Sequence, residues 1–161
     1  MNTDFETIMA KTEVNRDEII HLQDLRLEKY KNKSFIEKYA LYMGMVQILE
    51  LQMKQMLYRK FDFSTEEKLK KLETMTFGQS IKQLDDKGVS TDIIYLLNIS
   101  RDNRNKMAHS FLVDTLISSS LGFNMESIEV RQLDKYIIEL ENVSLIWEWC
   151  VNHDALLMKE N

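Results

Sequence analysis

The chain lacks proline altogether and has only four glycines among its 161 residues. Sandwiches and barrels of short strands need frequent turns, and those turns depend on glycine and proline. Their scarcity argues against such folds and favours a few long helices joined by short connections. Hydrophobic residues make up 44% of the chain, enough for a core, so we expect a folded protein rather than a disordered one.

Cysteine and long apolar runs are also scarce. The single Cys150 rules out an intramolecular disulfide and fits a reducing compartment. There is no run of about 18 apolar residues, and the first residues, MNTDFETIMAKTEV, lack the apolar core of a signal peptide. We therefore expect a cytoplasmic protein without a membrane segment. The net charge of −5 argues against a generally basic nucleic-acid binder but permits a local basic site in a cleft.

Several helix starts are marked by Ser, Thr or Asn followed three residues later by Glu or Gln, a spacing that lets the two residues cap each other's free amides. The pattern occurs at Thr3/Glu6, Asn15/Glu18, Ser34/Glu37, Ser64/Glu67 and Thr76/Gln79. With the apolar periodicity it predicts helices at 4–13, 16–31, 35–60, 65–73, 77–87, 91–115 and 126–157. Gly88 predicts a helix C-cap, and residues 117–124 predict a loop.

The helix at 35–60 carries two apolar stripes. One runs from Phe35 to Met56 at spacings of three and four, and Met45, Ile48 and Leu51 form the other, which predicts that this helix is covered on two sides. Gly44 in its middle predicts a close approach of another helix, because glycine there costs about 1 kcal/mol against alanine.

The last predicted helix carries the same spacing from Val130 to Val151. No internal repeat or linker separates the elements. We therefore predict an all-α fold, an up-and-down helical bundle with two long scaffold helices and several shorter ones. It forms a single domain of residues 1–161, in which residues 1–33 are an N-terminal helical extension that packs on the bundle.

A polar cluster falls within the segment SRDNRNKMAHSF, residues 100–111. At about 100° per residue, the apolar stripe of the predicted helix is defined by Ile93, Ile94, Leu97, Ala108, Phe111 and Leu112. Arg101, Arg104 and Asn105 interrupt this stripe, and His109 lies at its edge. The opposite, solvated face holds Asp102, Asn103, Lys106 and Ser110.

Charges within an apolar stripe must pair internally or lie at a cleft or interface, since burying them unpaired costs several kcal/mol each. One interpretation is a buried network in which carboxylates of neighbouring helices saturate Arg101 and Arg104. The other is an anion site, because arginine presents a planar fork that suits phosphate and histidine titrates near neutral pH.

The segment RNKMAHSF resembles the signature of the HEPN superfamily (higher eukaryotes and prokaryotes nucleotide-binding). That signature is an Arg, usually followed by a polar residue such as Asn, and a His after four to six intervening residues. Here Asn105 follows Arg104, and four residues separate Arg104 from His109. TFGQSI, residues 76–81, is similar to a glycine-containing helix start of some branches. The resemblance implies an α-helical bundle over about residues 35–157.

The resemblance also implies a metal-independent endoribonuclease that works as a homodimer without a cofactor. Arg104 and His109 of both subunits would meet at the interface, where a ribose 2′-hydroxyl attacks the adjacent phosphate and leaves a cyclic phosphate and a free 5′-hydroxyl. His109 would act as general base or acid, Arg104 would stabilise phosphoryl charge, and Asn105 would orient His109 or the substrate. We add Arg101 and Lys106 as RNA- or phosphate-binding residues.

Proteins with this signature include bacterial toxins and phage-defence effectors, which implies an antitoxin or defence-system protein as a partner. In toxins paired with nucleotidyltransferase antitoxins, a modified Tyr lies two residues after the His. This chain has Phe111 there, so adenylylation at that position is not expected. Other relatives lack nuclease activity, and the alternative prediction is a non-catalytic helical dimer that binds nucleotide, RNA or a protein partner.

Cys150 and His153 lie three residues apart on the last predicted helix, where they could supply two metal ligands. A metal site needs at least a third ligand, and only His21 and scattered carboxylates remain, so we predict no metal site. Between Trp149 and Val151, Cys150 is expected to be a small core residue.

Overall fold

A computed structural model of the chain describes residues 16–63, 65–111, 117, 120 and 126–157. Its six α-helices are α1 (Arg16–Leu27), α2 (Phe35–Lys60), α3 (Glu66–Thr74), α4 (Phe77–Asp86), α5 (Thr91–Lys106) and α6 (Glu126–Asn152). A 3₁₀ turn, Glu28–Tyr30, follows α1, and a π-helical turn, Met107–Phe111, continues α5. The described residues form no β-sheet, so the predicted all-α bundle is confirmed.

Some predictions fall on other parts of the chain. The helix expected at 4–13 and the end of the one expected at 91–115 lie outside the described residues. Of the loop expected at 117–124, only Ile117 and Ser120 are described, and both are helical. No helix in the described ranges is both long enough and apolar enough to cross a membrane.

Two of the expected capping boxes are confirmed. At the start of α2, the Glu37 amide donates to Ser34 Oγ over 3.3 Å, and the Ser34 amide donates to Glu37 Oε2 over 2.8 Å. At the start of α4, Thr76 and Gln79 make the same pair of bonds over 3.3 and 2.8 Å. Each box satisfies two amides that the first helical turn leaves free.

The cap of α3 differs from the prediction by one residue. Thr65, not Ser64, caps the helix, and its Oγ1 accepts from the Lys68 amide over 3.4 Å. Both positions carry a hydroxyl followed by an acidic turn, so the sequence pattern does not distinguish them. Ser64 itself lies outside the described residues.

The turn from α4 to α5 depends on Gly88. Its φ of +81° lies in the left-handed region that favours glycine. The Gly88 amide donates to the Asp85 carbonyl over 2.9 Å, and the Val89 amide donates to the Leu84 carbonyl over 3.1 Å. These are the two bonds of a Schellman motif, and the C-cap expected at Gly88 is confirmed.

The hydrophobic core lies between α2, α4, α5 and α6. The two longest helices, α2 and α6, pack on each other, and α5 packs on α6 and α4. Fully buried side chains in this core are Tyr42, Val46, Leu49, Met53, Leu57, Leu84, Leu97, Leu133 and Trp147. α1 packs against α6, where Ile19 contacts Leu145. This arrangement places the C-terminal end of α5 beside both long helices.

The outer face of α2 departs from the prediction. Ile48 and Leu51 are 47% and 54% exposed, so these two residues of the second apolar stripe face solvent, while Met45 packs partly against the core. A Cβ added at Gly44 would meet no atom of the described structure within 4 Å. The expected close approach at Gly44 is therefore wrong within the described chain, and so is the expected cover over Ile48 and Leu51.

Candidate functional site

The candidate residues lie at the C-terminal end of α5 and in the π-helical turn that follows it. Such turns are rare, and they often occur at functional sites because they redirect the side chains that follow. Met107, the first residue of the turn, is fully buried. Its carbonyl accepts a hydrogen bond from the Tyr39 hydroxyl of α2 over 3.3 Å, which ties the start of the turn to the scaffold.

Arg104 is half-buried, and Nη1 of its guanidinium donates to Asn105 Oδ1 over 3.2 Å. Within the described part of the chain, no carboxylate forms an ion pair with Arg104. A half-buried guanidinium has several N–H donors, and a single neutral acceptor leaves most of them available for another ligand. Asn105 is therefore placed to orient Arg104.

Arg101 lies one turn earlier and is also half-buried. Its Nε and Nη2 donate to the exposed Asp102 carboxylate over 2.9 and 2.8 Å. Its Cδ lies 3.4 Å from where a Cβ on Gly78 would stand, so the side chain crosses the first turn of α4. Because Arg101 pairs with a surface neighbour and Arg104 pairs with no described carboxylate, the predicted internal network that saturates both arginines is wrong for the described residues.

His109 and Lys106 are exposed. Among the described residues, no hydrogen bond joins the His109 ring to Arg104 or Asn105. The structure thus brings Arg104 and Asn105 into contact and places Arg101, Lys106 and His109 within two turns of them along one helix. These five residues form a half-buried to exposed rim that a dissolved ligand can reach.

A buried hydrogen bond lies behind this rim. Asn103 is 8% exposed, and its Nδ2 donates over 2.7 Å to Oε2 of Glu139, which is 9% exposed. The prediction that Asn103 belongs to the solvated face is wrong. At about 100° per residue, the buried Ser100 and Met107 show that this half of α5 faces the core on a side rotated by roughly a quarter turn from the predicted stripe.

The hydroxyl of Tyr42 extends this buried polar group. Tyr42 is fully buried, and its hydroxyl has no hydrogen-bond partner among the described residues. Burial raises the pKa of Tyr42 above its ordinary value, the charges of Tyr136 and Glu139 raise it further, and the Arg104 guanidinium lowers it. We call Tyr42, Asn103, Tyr136 and Glu139 the Glu139 cluster; Arg104 interacts electrostatically with its Tyr42 hydroxyl.

Sequence reasoning missed the Glu139 cluster because its members come from three helices far apart in the chain. One weak signal was present. Glu139 follows two apolar residues and precedes Leu140, at a position where the last helix should be buried. A carboxylate at such a position requires a polar partner on another helix, although the sequence does not say which one.

The region around Cys150 is structural. Cys150 is 1% exposed, which confirms it as a core residue, and burial raises the pKa of its thiol to about 11. The His153 ring stacks on Trp149 with ring centroids 3.7 Å apart, and its Nδ1 lies 2.9 Å from the Trp149 carbonyl. In the described ranges no three His, Cys, Asp or Glu side chains are grouped so as to hold a metal ion.

Comparison with known proteins adds no relative to this picture. No protein-family model, no curated protein and no solved structure matches the chain. The features that bear on function are therefore the rim, the Glu139 cluster and the spacing of Arg104, Asn105 and His109.

Proposed function

We propose that the chain is a metal-independent endoribonuclease of the HEPN type that works as a homodimer. The observation that carries the proposal is Arg104. It is half-buried, it is held by Asn105 rather than by a described carboxylate, and it lies five residues before His109, which is exposed in the π-helical turn. A guanidinium with free donors and an imidazole on the same short segment suit a phosphodiester.

The reaction is attack of a ribose 2′-hydroxyl on the adjacent phosphorus, with loss of the 5′-oxygen. His109 takes the proton of the 2′-hydroxyl or returns a proton to the leaving oxygen. Arg104 donates to the phosphoryl oxygens as negative charge develops on them. Asn105 holds the Arg104 fork in place, and Arg101 and Lys106 contact flanking phosphates.

A homodimer supplies what one copy lacks. The reaction needs both a base and an acid, and the rim of one chain carries one histidine. A second copy related by a two-fold axis adds a second His109 and a second Arg104. It also doubles the local positive charge, which allows a chain of net charge −5 to hold RNA.

The setting that fits this activity is a cytoplasmic toxin or phage-defence effector, whose antitoxin or defence-system partner restrains it. An RNA cleaved without a metal yields a cyclic phosphate, and no cofactor takes part. Such an enzyme damages the cell that makes it unless a partner covers the rim.

The test is cleavage of a single-stranded RNA by the purified protein in EDTA. We expect products that end in a 2′,3′-cyclic phosphate and a 5′-hydroxyl, and no cleavage of the same strand with 2′-deoxy sugars. His109→Ala and Arg104→Ala should each lower the rate by about 100-fold or more. His21→Ala, which changes an exposed histidine on α1, is the matched control and should leave the rate unchanged.

Circular dichroism of the four proteins shows whether the variants stay folded. Cleavage that survives both rim variants, or that requires a divalent metal, would refute the proposal.

The second candidate is a non-catalytic helical dimer that binds RNA or nucleotide through the same rim. The observation that favours it is His109, which has no orienting hydrogen bond among the described residues, whereas a catalytic imidazole is usually fixed by one. In that case wild-type protein binds RNA without cleaving it, and calorimetry shows weaker binding for Arg104→Ala but not for His109→Ala.

A further inference from the structure

Two tertiary hydrogen bonds hold the end of α5, one on each side of Arg104 along the chain. Before it, Asn103 Nδ2 donates to Glu139 Oε2 of α6 over 2.7 Å. After it, the Met107 carbonyl accepts from the Tyr39 hydroxyl of α2 over 3.3 Å. The segment that carries Arg104 is therefore fastened to both long helices.

The two fastened positions lie on the buried side of α5, next to Arg104. Asn103 is 8% exposed, and Met107 is fully buried. Around the helix axis, Arg104 lies about 100° from Asn103 and about 60° from Met107. A small rotation or slide of this turn therefore moves the Arg104 guanidinium directly, and the two hydrogen bonds oppose such a movement.

This part of the chain needs support from other elements. The end of a helix is the part that its own backbone bonds fix least, because its last carbonyls have no partner one turn further on. π-helical turns such as Met107–Phe111 are also rare. The bond between Arg104 and Asn105 joins neighbours in the chain, so it does not place the pair relative to the bundle. The bonds to Tyr39 and Glu139 do.

We propose that Tyr39 and Glu139 are positioning residues through which α2 and α6 set the place of the Arg104 guanidinium, a role that rests on the proposed ribonuclease function. Neither acts on the substrate itself. Glu139, which is 9% exposed, acts through Asn103, and Tyr39 acts through the Met107 carbonyl. Arg104 stabilises charge that develops in the transition state, so a displaced guanidinium lowers kcat more than it changes KM.

Glu141 shows that a buried carboxylate on α6 does not need a bond to α5. It is 1% exposed, it pairs with Lys29, and it accepts a hydrogen bond from the Tyr30 hydroxyl. These partners belong to the 3₁₀ turn after α1. Glu141 and Tyr30 therefore match Glu139 and Tyr39 in residue type, while their bond lies away from Arg104.

The test measures kcat and KM for cleavage of one single-stranded RNA by the full chain, at a temperature at which circular dichroism shows every variant folded. Tyr39→Phe and Glu139→Ala should each lower kcat by about tenfold or more and leave KM within about twofold, because a catalytic group displaced by about 1 Å can cost about 100-fold. Tyr30→Phe and Glu141→Ala are the matched controls and should leave both constants unchanged. We expect Glu141→Ala to destabilise the fold more than Glu139→Ala does, so a general loss of stability would lower kcat in the control first.

Two further variants separate position from charge. Glu139→Gln keeps an oxygen that accepts from Asn103 and should retain kcat within about threefold of the wild type. The double variant Asn103→Ala/Glu139→Ala should lose no more than the larger single loss, because both residues act through one bond. A Glu139→Gln protein as slow as Glu139→Ala would overturn the positioning role in favour of the carboxylate charge.

A measurement without RNA separates failure of this proposal from failure of the proposed function. Amide hydrogen exchange reports local opening, and exchange at residues 104–107 should speed up by about tenfold or more in Tyr39→Phe and Glu139→Ala but not in the two controls. If the wild type cleaves no RNA, the proposed function fails, while the exchange rates still decide whether Tyr39 and Glu139 hold this turn. The positioning role is overturned if kcat falls equally in variants and controls, or if exchange at residues 104–107 is the same in all of them.

Discussion

Two buried carboxylates on α6, Glu139 and Glu141, lie two residues apart and differ in the partners that compensate their burial. Glu141 is 1% exposed, and its Oε1 accepts a hydrogen bond from the Tyr30 hydroxyl over 2.6 Å and lies 2.7 Å from Lys29 Nζ. Arg26 lies 3.9 Å from its other oxygen. Two cations and a hydroxyl, all from α1 and the 3₁₀ turn, therefore compensate its burial.

Glu139 faces another side of α6 and has weaker compensation. Its closest partner is the neutral Asn103 amide at 2.7 Å, and Lys135 Nζ lies 3.8 Å away. The Tyr42 hydroxyl, whose pKa the Glu139 charge raises, makes no hydrogen bond within the described structure. Glu141 thus fastens α1 to the bundle through ion pairs, although its Oε2 makes no hydrogen bond within the described structure, whereas Glu139 has a neutral amide as its main partner.

The largest expected effect on stability is at Glu141. Glu141→Ala should lower the free energy of unfolding by about 2–4 kcal/mol, because it leaves Lys29 and the Tyr30 hydroxyl without their buried acceptor. Glu139→Ala should cost about 1–2 kcal/mol, mainly for the unsatisfied Asn103 amide. Urea unfolding followed by circular dichroism measures both. If both variants lose the same free energy of unfolding, or if Glu139→Ala loses more, the two carboxylates do not differ as described.

A matched pair of tyrosine variants sharpens the comparison. Tyr30→Phe removes a hydrogen bond to a buried carboxylate and should cost about 1.5–3 kcal/mol. Tyr42→Phe removes a hydroxyl with no described partner. The free energy of unfolding should therefore fall by less than about 0.5 kcal/mol, or rise. The same urea titration compares them. A clear loss in Tyr42→Phe would show that its hydroxyl has a partner in solution, such as Arg104 or a water molecule.

The last expected effect is in the pH dependence of stability. Burial raises the pKa of Tyr30 above 10.0, and the hydrogen bond and charge of Glu141 raise it further; burial also raises the pKa of Tyr42. A group whose folded pKa is raised stabilises the fold below its unfolded pKa, and that stability is lost as the pH rises above 10. Each Tyr→Phe variant should therefore lose less stability than the wild type between pH 9.5 and 10.5, by a difference of less than about 1 kcal/mol in the free energy of unfolding. Parallel curves for wild type and both variants would assign the alkaline loss to other groups.

Local chemistry was readable from the sequence, and long-range partners were not. The capping boxes at Ser34 and Thr76 and the C-cap at Gly88 involve residues within a few positions of one another, so the pattern carried the interaction. The burial of Asn103 depends on Glu139, 36 positions away, and no local rule connects them. The angular estimate placed Asn103 on the wrong side because it took the direction of the stripe from residues such as Ala108, which is exposed.

The outer face of α2 shows a different limit. The spacing of Ile48 and Leu51 correctly identified an apolar stripe, and the stripe exists. An apolar periodicity says that a surface prefers to be covered, but it does not say whether the same chain or another molecule covers it. The residues of the candidate rim lie at the end of α5 and in the turn after it, and the burial of each side chain depends on packing that only the folded chain defines.

The direction of the His109 side chain depends on the number of residues in the π-helical turn. A turn closed by i→i+5 bonds contains about one residue more than an α-helical turn, so Met107–Phe111 is equivalent to a one-residue insertion in α5. Deleting a single residue before His109 in this turn would restore α-helical spacing and change the direction of His109 relative to Arg104. Two chains with the same arginine and histidine, differing by one residue in this turn, would therefore direct the imidazole to different sides of the helix.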